Sequence, residues 1–201
     1  MDADWSIELG RNDPVLEFPW SSEDGSQQFV DLSYDLASLD RIPEGRQYRE
    51  LAAFLHAVNA PSSPWITTKC DVWFERELAE AEQIYDAEMK MCSYIDLVRR
   101  ERGERFSFEL HENFVKHATS VLQRTTDEAM ACEFVARRCW YHCEDPPASE
   151  PGPGFYVTLY LFGYGNDEPH ARGYWNEALT RVASVLVSPQ VLICDNEMRR
   201  G

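Results

Sequence analysis

Two stretches of this chain, Cys132 to Tyr141 and Phe155 to Tyr164, carry apolar or aromatic residues at odd and even positions alike. A strand that is apolar on both faces has to be covered on both faces, so these runs predict central strands of a sheet. Between them, Glu144 to Gly154 contains four prolines, which remove backbone donors and stiffen the connection. The segment is long for a hairpin, and it reads either as a recognition loop or as a tip without fixed structure.

Around that pair the residue spacing predicts further elements. Trp5-Ser6-Ile7-Glu8-Leu9 alternates apolar and polar residues as a half-buried strand does. Gly10 to Pro14 is a turn cluster, and Val15 to Phe18 reads as the returning strand. Residues 20 to 45 mix Ser, Asp, Gly and Pro with short apolar groups and predict loops. Tyr48, Leu51, Ala52, Leu55 and Val58 recur at helical spacing until Asn59-Ala60-Pro61 stops the helix. Ile66, Thr68, Cys70, Val72 and Phe74 then share one face of a strand, with Lys69, Asp71 and Trp73 opposite.

A second helical stripe runs through Leu78, Ala81, Ile84 or Tyr85, and Met89; Ser93 to Arg99 either prolongs it or forms a strand. Ser107 is the expected N-cap of a helix with a buried stripe of Phe108, His111, Phe114, Val115, Ala118, Val121 and Leu122. Asn166 or Asp167 caps the last helix, with Pro169 in its first turn. Its stripe is Ala171, Tyr174, Ala178, Leu179, Val182 and Leu186; Pro189 ends it, and Val191 to Cys194 forms a short final strand. The order lacks the regular alternation of a parallel α/β protein. The expected fold is α+β: one domain over residues 1–201, with a mainly antiparallel sheet and about four helices packed on one side.

Charge narrows the function. Thirty-five acidic residues against nineteen basic ones give a formal charge of -16. Nucleic-acid binding needs clustered Lys and Arg to displace counterions, so nucleic acid and anionic membranes are disfavoured partners and basic proteins favoured ones. No run of apolar residues is long enough for a membrane-spanning helix. The start, Met1-Asp2-Ala3-Asp4-Trp5, has neither the basic nor the apolar region of a secretory signal. With six cysteines expected to be mostly reduced, the reading is a cytoplasmic protein.

The motifs that resemble chemistry do not sustain it. His111-Glu112 would need a second histidine at position 115, which is Val115. Glu112 and Lys116 fit an ordinary i,i+4 ion pair instead. Cys139 and Cys143 lie about 13 Å apart in an extended strand, too far to share a metal. Gly163-Tyr164-Gly165 precedes Asp167 and Glu168, which suit a helix N-terminus and repel a phosphate. Arg99 to Arg105 is the only basic concentration, and its interleaved glutamates read as a solvated turn. The sequence therefore nominates no catalytic residue, no metal ligand and no cofactor.

In general character, an acidic α+β chain of this size without catalytic motifs resembles the bacterial toxin-immunity proteins. That resemblance implies a basic partner, a toxin such as a nuclease whose active site an acidic surface blocks. The expected partner-binding residues are Glu77, Glu80 and Glu82 on an acidic helix, with Glu144, Asp145 and Glu150 in the proline-rich loop. The competing expectation is an enzyme or small-ligand binder with a pocket lined by Trp73, Trp140, Tyr156 or Tyr160.

Overall fold

The computed structural model describes residues 1–78, 84–125, 128–142 and 151–188. Six strands form one sheet: β1 (Asp2–Glu8), β2 (Val15–Phe18), β3 (Trp65–Glu75), β4 (Met89–Arg99), β5 (Met130–Tyr141) and β6 (Gly152–Gly165). The order across the sheet is β1-β5-β6-β4-β3, with β2 also on β5. The β5–β6, β6–β4 and β4–β3 pairs are antiparallel. The helices are α1 (Pro43–Gln47), α2 (Arg49–Asn59), α3 (Phe108–Leu122) and α4 (Glu168–Leu186). The main core joins the apolar stripes of α2, α3 and α4 to alternate residues of the strands, so these helices share one face of the sheet. The fold is α+β, as the pattern predicted, and residues 93–99 are strand.

Helix α4 comes closest to the sheet. The Asp167 carboxylate caps it, accepting from the His170 amide at 2.9 Å. Its axis reaches β6 because Gly163 has no side chain: a Cβ there would overlap Trp175 N and Ala171 O. Trp175 consequently lies in the core at 0% exposure, its indole donating to Ser93 Oγ at 2.9 Å. The stripe had placed Tyr174 there; Tyr174 instead packs at the margin. Ser107 caps α3 as expected, accepting from the Leu110 amide. Near the end of α3, Gln123 and Thr119 donate to the carbonyls of Ala3 and Asp4, which pins the edge strand β1.

Four expectations give way to packing. First, β1 and β2 are not a hairpin: both run parallel to β5, one beside residues 131–137 and the other beside 138–141. Second, a register shift between Thr67 and Cys70 turns β3 over, so Ile66 joins the far-face cluster while Cys70, Val72 and Phe74 pack toward the helices. Third, the helix expected from Leu78 to Met89 is absent from its described parts, since Ile84–Asp86 is one 3-10 turn and Met89 begins β4. Fourth, residues 20 to 45 are not all loop: Leu36–Arg41 is a 3-10 helix and α1 follows it. The expected strand at Val191 to Cys194 lies outside the described residues.

The basic cluster is not a solvated turn either. Arg99 is fully buried, with its guanidinium 4.2 Å from the Trp65 ring centre. Arg105 is 5% exposed and donates to the Arg99 carbonyl at 2.8 Å. Arg100 donates to the carbonyls of Asn59, Ala60, Ser63 and Trp65, satisfying acceptors left over where α2 ends. Arg99 and Arg100 tie β4 to the helical layer, while Arg105 lies over the Phe18 and Tyr141 rings on the far face.

Gly163→Ala is expected to lose about 3 kcal/mol of stability or to prevent folding, because the new methyl group meets backbone that cannot yield. Urea denaturation followed by tryptophan fluorescence checks this; an unchanged midpoint would contradict the close β6–α4 contact.

Candidate functional site

The face of the sheet opposite the helices carries an arrangement in which polar groups from several strands converge on a cleft. Part of that face is closed. Phe18 and Phe29 pack in a cluster with Leu16, Ile66, Val98, Cys139, Tyr141 and Tyr156, and Trp20 Nε1 donates to the Thr68 carbonyl at 2.8 Å. Beyond this covered corner the face opens into two clefts that meet at Lys69 and Tyr94. The larger, about 760 Å³, lies at the β3 edge of the sheet, between β3, the segment Trp20 to Gln28 and the helical-layer residues Arg41 to Glu44 and Leu55. The smaller, about 250 Å³, lies over the middle of the sheet.

Alternation positions the residues of the smaller cleft. On β4, Tyr94 and Asp96 point away from the helices while Ile95 and Leu97 enter the core. On β6, Tyr156, Thr158 and Tyr160 do the same, with Thr158 opposite Asp96 and Tyr160 opposite Tyr94 in register. On β5, Arg137 stands opposite Glu8 of β1. A polar chain crosses these strands. Glu8 accepts from Arg137 at 2.7 Å, Arg137 Nη1 donates to Thr158 Oγ1 at 2.9 Å, and Thr158 donates to Asp96 Oδ1 at 2.7 Å. Arg137 also donates to the Tyr160 hydroxyl at 3.2 Å.

Asp96 is the unusual member. It is 6% exposed, and among the described residues its second carboxylate oxygen has no side-chain or backbone donor. Burial raises its pKa from 3.8 to about 6, against the lowering effects of the Thr158 hydrogen bond and the Arg137 and Lys69 charges. The adjacent Tyr94 phenol is pushed up to about 12, first by burial and then by the negative charges of Asp96, Asp71 and others. Both shifts arise chiefly from burial and describe a poorly solvated cleft, lined by the cations Lys69 and Arg137 as well as by Asp96.

A band of aromatic rings extends from the cleft along the open face. Trp73 and Tyr94 have ring centres 6.5 Å apart, Tyr94 and Tyr160 6.4 Å, and Tyr160 and Phe162 6.5 Å with nearly parallel planes. All four rings are partly exposed. Asp71 and Glu75 on β3 and Glu133 on β5 carry negative charge around the band, and the Lys90 ammonium is 2.9 Å from Glu75.

Of the expected pocket residues, Tyr156 and Tyr160 line the smaller cleft and Trp73 belongs to the band, while Trp140 is 40% exposed and lines neither cleft. Of the expected partner-binding residues, Glu77 is exposed just past the end of β3; Glu80, Glu82, Glu144, Asp145 and Glu150 lie outside the described residues. Asp96, Tyr94 and Arg137 were missed. The signal was one acid, Asp96, set among apolar residues from Tyr94 to Val98, readable only once that segment is known to be strand.

Other groups have structural explanations. Cys70, Cys132 and Cys139 are thiols that burial pushes up to about 12, which keeps them protonated. His111 is fully buried, its Nδ1 2.8 Å from the Ser107 carbonyl. Glu112 and Lys116 form the expected ion pair at 2.6 Å. Among the described residues no three His, Cys, Asp or Glu side chains group to hold a metal. No described helix is long and apolar enough to cross a membrane.

The Asp96 shift has a stability consequence. Between its unfolded value of 3.8 and its native value near 6 the folded chain holds more protons, so this group's contribution falls as pH rises through that window. The ionised form costs about 3 kcal/mol at neutral pH. His111, lowered to about 4 chiefly by burial, slopes the opposite way between about 4 and 6.5, so total stability does not isolate Asp96. The difference between wild type and Asp96→Asn does: the variant is expected to be about 1–3 kcal/mol more stable at pH 7.5 and equal to wild type near pH 3.5. Urea denaturation at both pH values checks it, and a variant less stable at pH 7.5 would contradict it.

Comparison of the chain with protein-family models, curated proteins and solved structures gave no match.

Proposed function

We propose that this chain is a protein-binding module that engages a basic partner through the helix-free face of its sheet. The observation that carries the reading is the aromatic band Trp73–Tyr94–Tyr160–Phe162, partly exposed on a face where no helix packs. Large aromatic rings dominate binding energy at protein interfaces, and acids near them repel the wrong partner while speeding encounter with the right one. The chain's charge of -16 extends that preference over long range. The resemblance to toxin-immunity proteins supplies one version of the partner, a cationic toxin whose active site the acidic face covers.

A second reading, a small-ligand-binding protein, is favoured by one specific feature: two clefts that join at Lys69 and Tyr94, the larger about 760 Å³. That volume lies in the range of small-molecule sites. In this reading the aromatic rings form a pocket wall rather than an interface.

Substitutions on the two layers separate these readings. Trp73→Ala and Phe162→Ala are expected to reduce capture of a basic protein from native lysate at moderate salt by at least tenfold each, on the order expected for interface aromatics. Glu109→Ala, exposed on α3, is expected to leave capture unchanged. Capture that ignores both band substitutions would place the interface elsewhere and leave the ligand-binding reading to be tested by thermal shift.

A further inference from the structure

We infer that the cleft floored by Asp96 and walled by Tyr94, Tyr156 and Tyr160 receives one lysine or arginine side chain of the basic partner. The inference rests on the reading of the helix-free face as the interface, and it names the contact at its centre.

The chemistry of the cleft selects a cation on an apolar stem. Tyr94 and Tyr156 line the cleft with rings against which a methylene chain can pack and whose potential favours a cationic head, while the Tyr160 ring already carries the Arg137 guanidinium 5.6 Å from its centre. The floor offers a carboxylate oxygen that no described group uses. Charges already present do not fill that role. The Arg137 guanidinium is committed to Glu8, Thr158 and Tyr160. The Lys69 ammonium lies 4.6 Å over the Trp20 ring, where the two clefts meet. No titratable group of the helical layer lines the cleft, since the wall on that side is the sheet itself.

An anion would meet the buried Asp96 carboxylate and is disfavoured, although Lys69 and Arg137 also line the cleft. A neutral ligand would leave the buried carboxylate with only the Thr158 hydrogen bond and the nearby Arg137 and Lys69 charges; a bound ammonium or guanidinium pairs it directly. Size agrees with one side chain: about 250 Å³ is below the roughly 300–1,000 Å³ of sites for drug-sized molecules.

The test is titration of the full chain, watched by amide NMR signals of Asp96, Thr158 and Tyr160. The probes are the Nα-acetyl methylamides of lysine and arginine, the norleucine analogue with the same stem and no charge, and putrescine. At least one basic probe is expected to bind with a dissociation constant on the order of millimolar. Asp96→Asn is expected to weaken it at least tenfold, and lowering the pH from 7.5 to 5 about tenfold, because Asp96 is then mostly protonated. Norleucine binding as tightly as lysine, or Asp96→Asn binding as tightly as wild type, would overturn the inference. Putrescine binding tenfold more tightly than both side-chain probes would assign the cleft to a free diamine and equally overturn it.

Partner capture separates this inference from the reading beneath it. If Trp73→Ala and Phe162→Ala lose capture while Asp96→Asn keeps it, the face is the interface and the cleft inference fails. If all three keep it, the interface reading itself fails. Loss in all three supports both, and the urea midpoint of Asp96→Asn shows whether that loss comes from misfolding.

Discussion

The close contact between β6 and α4 organises the rest of the molecule. Because Gly163 lets the helix backbone lie directly on the strand, Trp175 can fill the space between α4 and β4, and its indole finds Ser93. With α4 fixed there, α2 is held beside it by the paired hydrogen bonds of Arg172 to Glu50, both 2.9 Å. Helix α3 closes the layer over Phe134, with Phe114 edge-on to that ring. All three helices are thereby drawn to one face. The other face is covered only in part, at one corner by the segment around Phe18 and Phe29 and at another by Leu78 and Ala87, and that asymmetry is why an aromatic band stays partly exposed there.

Periodicity made much of this legible. Helices α2, α3 and α4 announced themselves by apolar spacing and by breakers or caps at Pro61, Ser107 and Asp167. Strands β5 and β6 were readable from apolar residues on both faces, although the reason differs in detail. Val157 and Leu159 face the helices, while Tyr156 and Tyr160 face the cleft. Aromatic residues on the uncovered face thus looked like core residues in the sequence.

The unreadable parts depend on contacts distant in the chain. Nothing between Thr67 and Cys70 marks a bulge; it is fixed by pairing with β4, and it moved half of β3 to the opposite face. The parallel placement of β1 and β2 depends on β5, more than a hundred residues later. The arginine cluster misled for a similar reason. Its charge predicted solvent, but the aromatic rings of Trp65 and Phe114 and the unused carbonyls at the end of α2 were available to bury it. Asp96 was hidden most completely, because its importance comes from Thr158, Arg137 and the three tyrosines that the sheet brings around it.

The two-part edge on β5 protects the sheet. A long, uniform border strand offers a row of unpaired amides and carbonyls on which another chain can add and start an aggregate. Here the border is broken into seven residues of β1 and four of β2, separated by the Gly10–Pro14 step. Pro14 and Pro19 flank the shorter piece, and neither has an amide to donate. Asp2, Asp4, Glu8 and Glu17 lie along it, so an approaching strand finds short stretches of template and a repelling charge. At this edge, therefore, the sheet is kept from growing sideways.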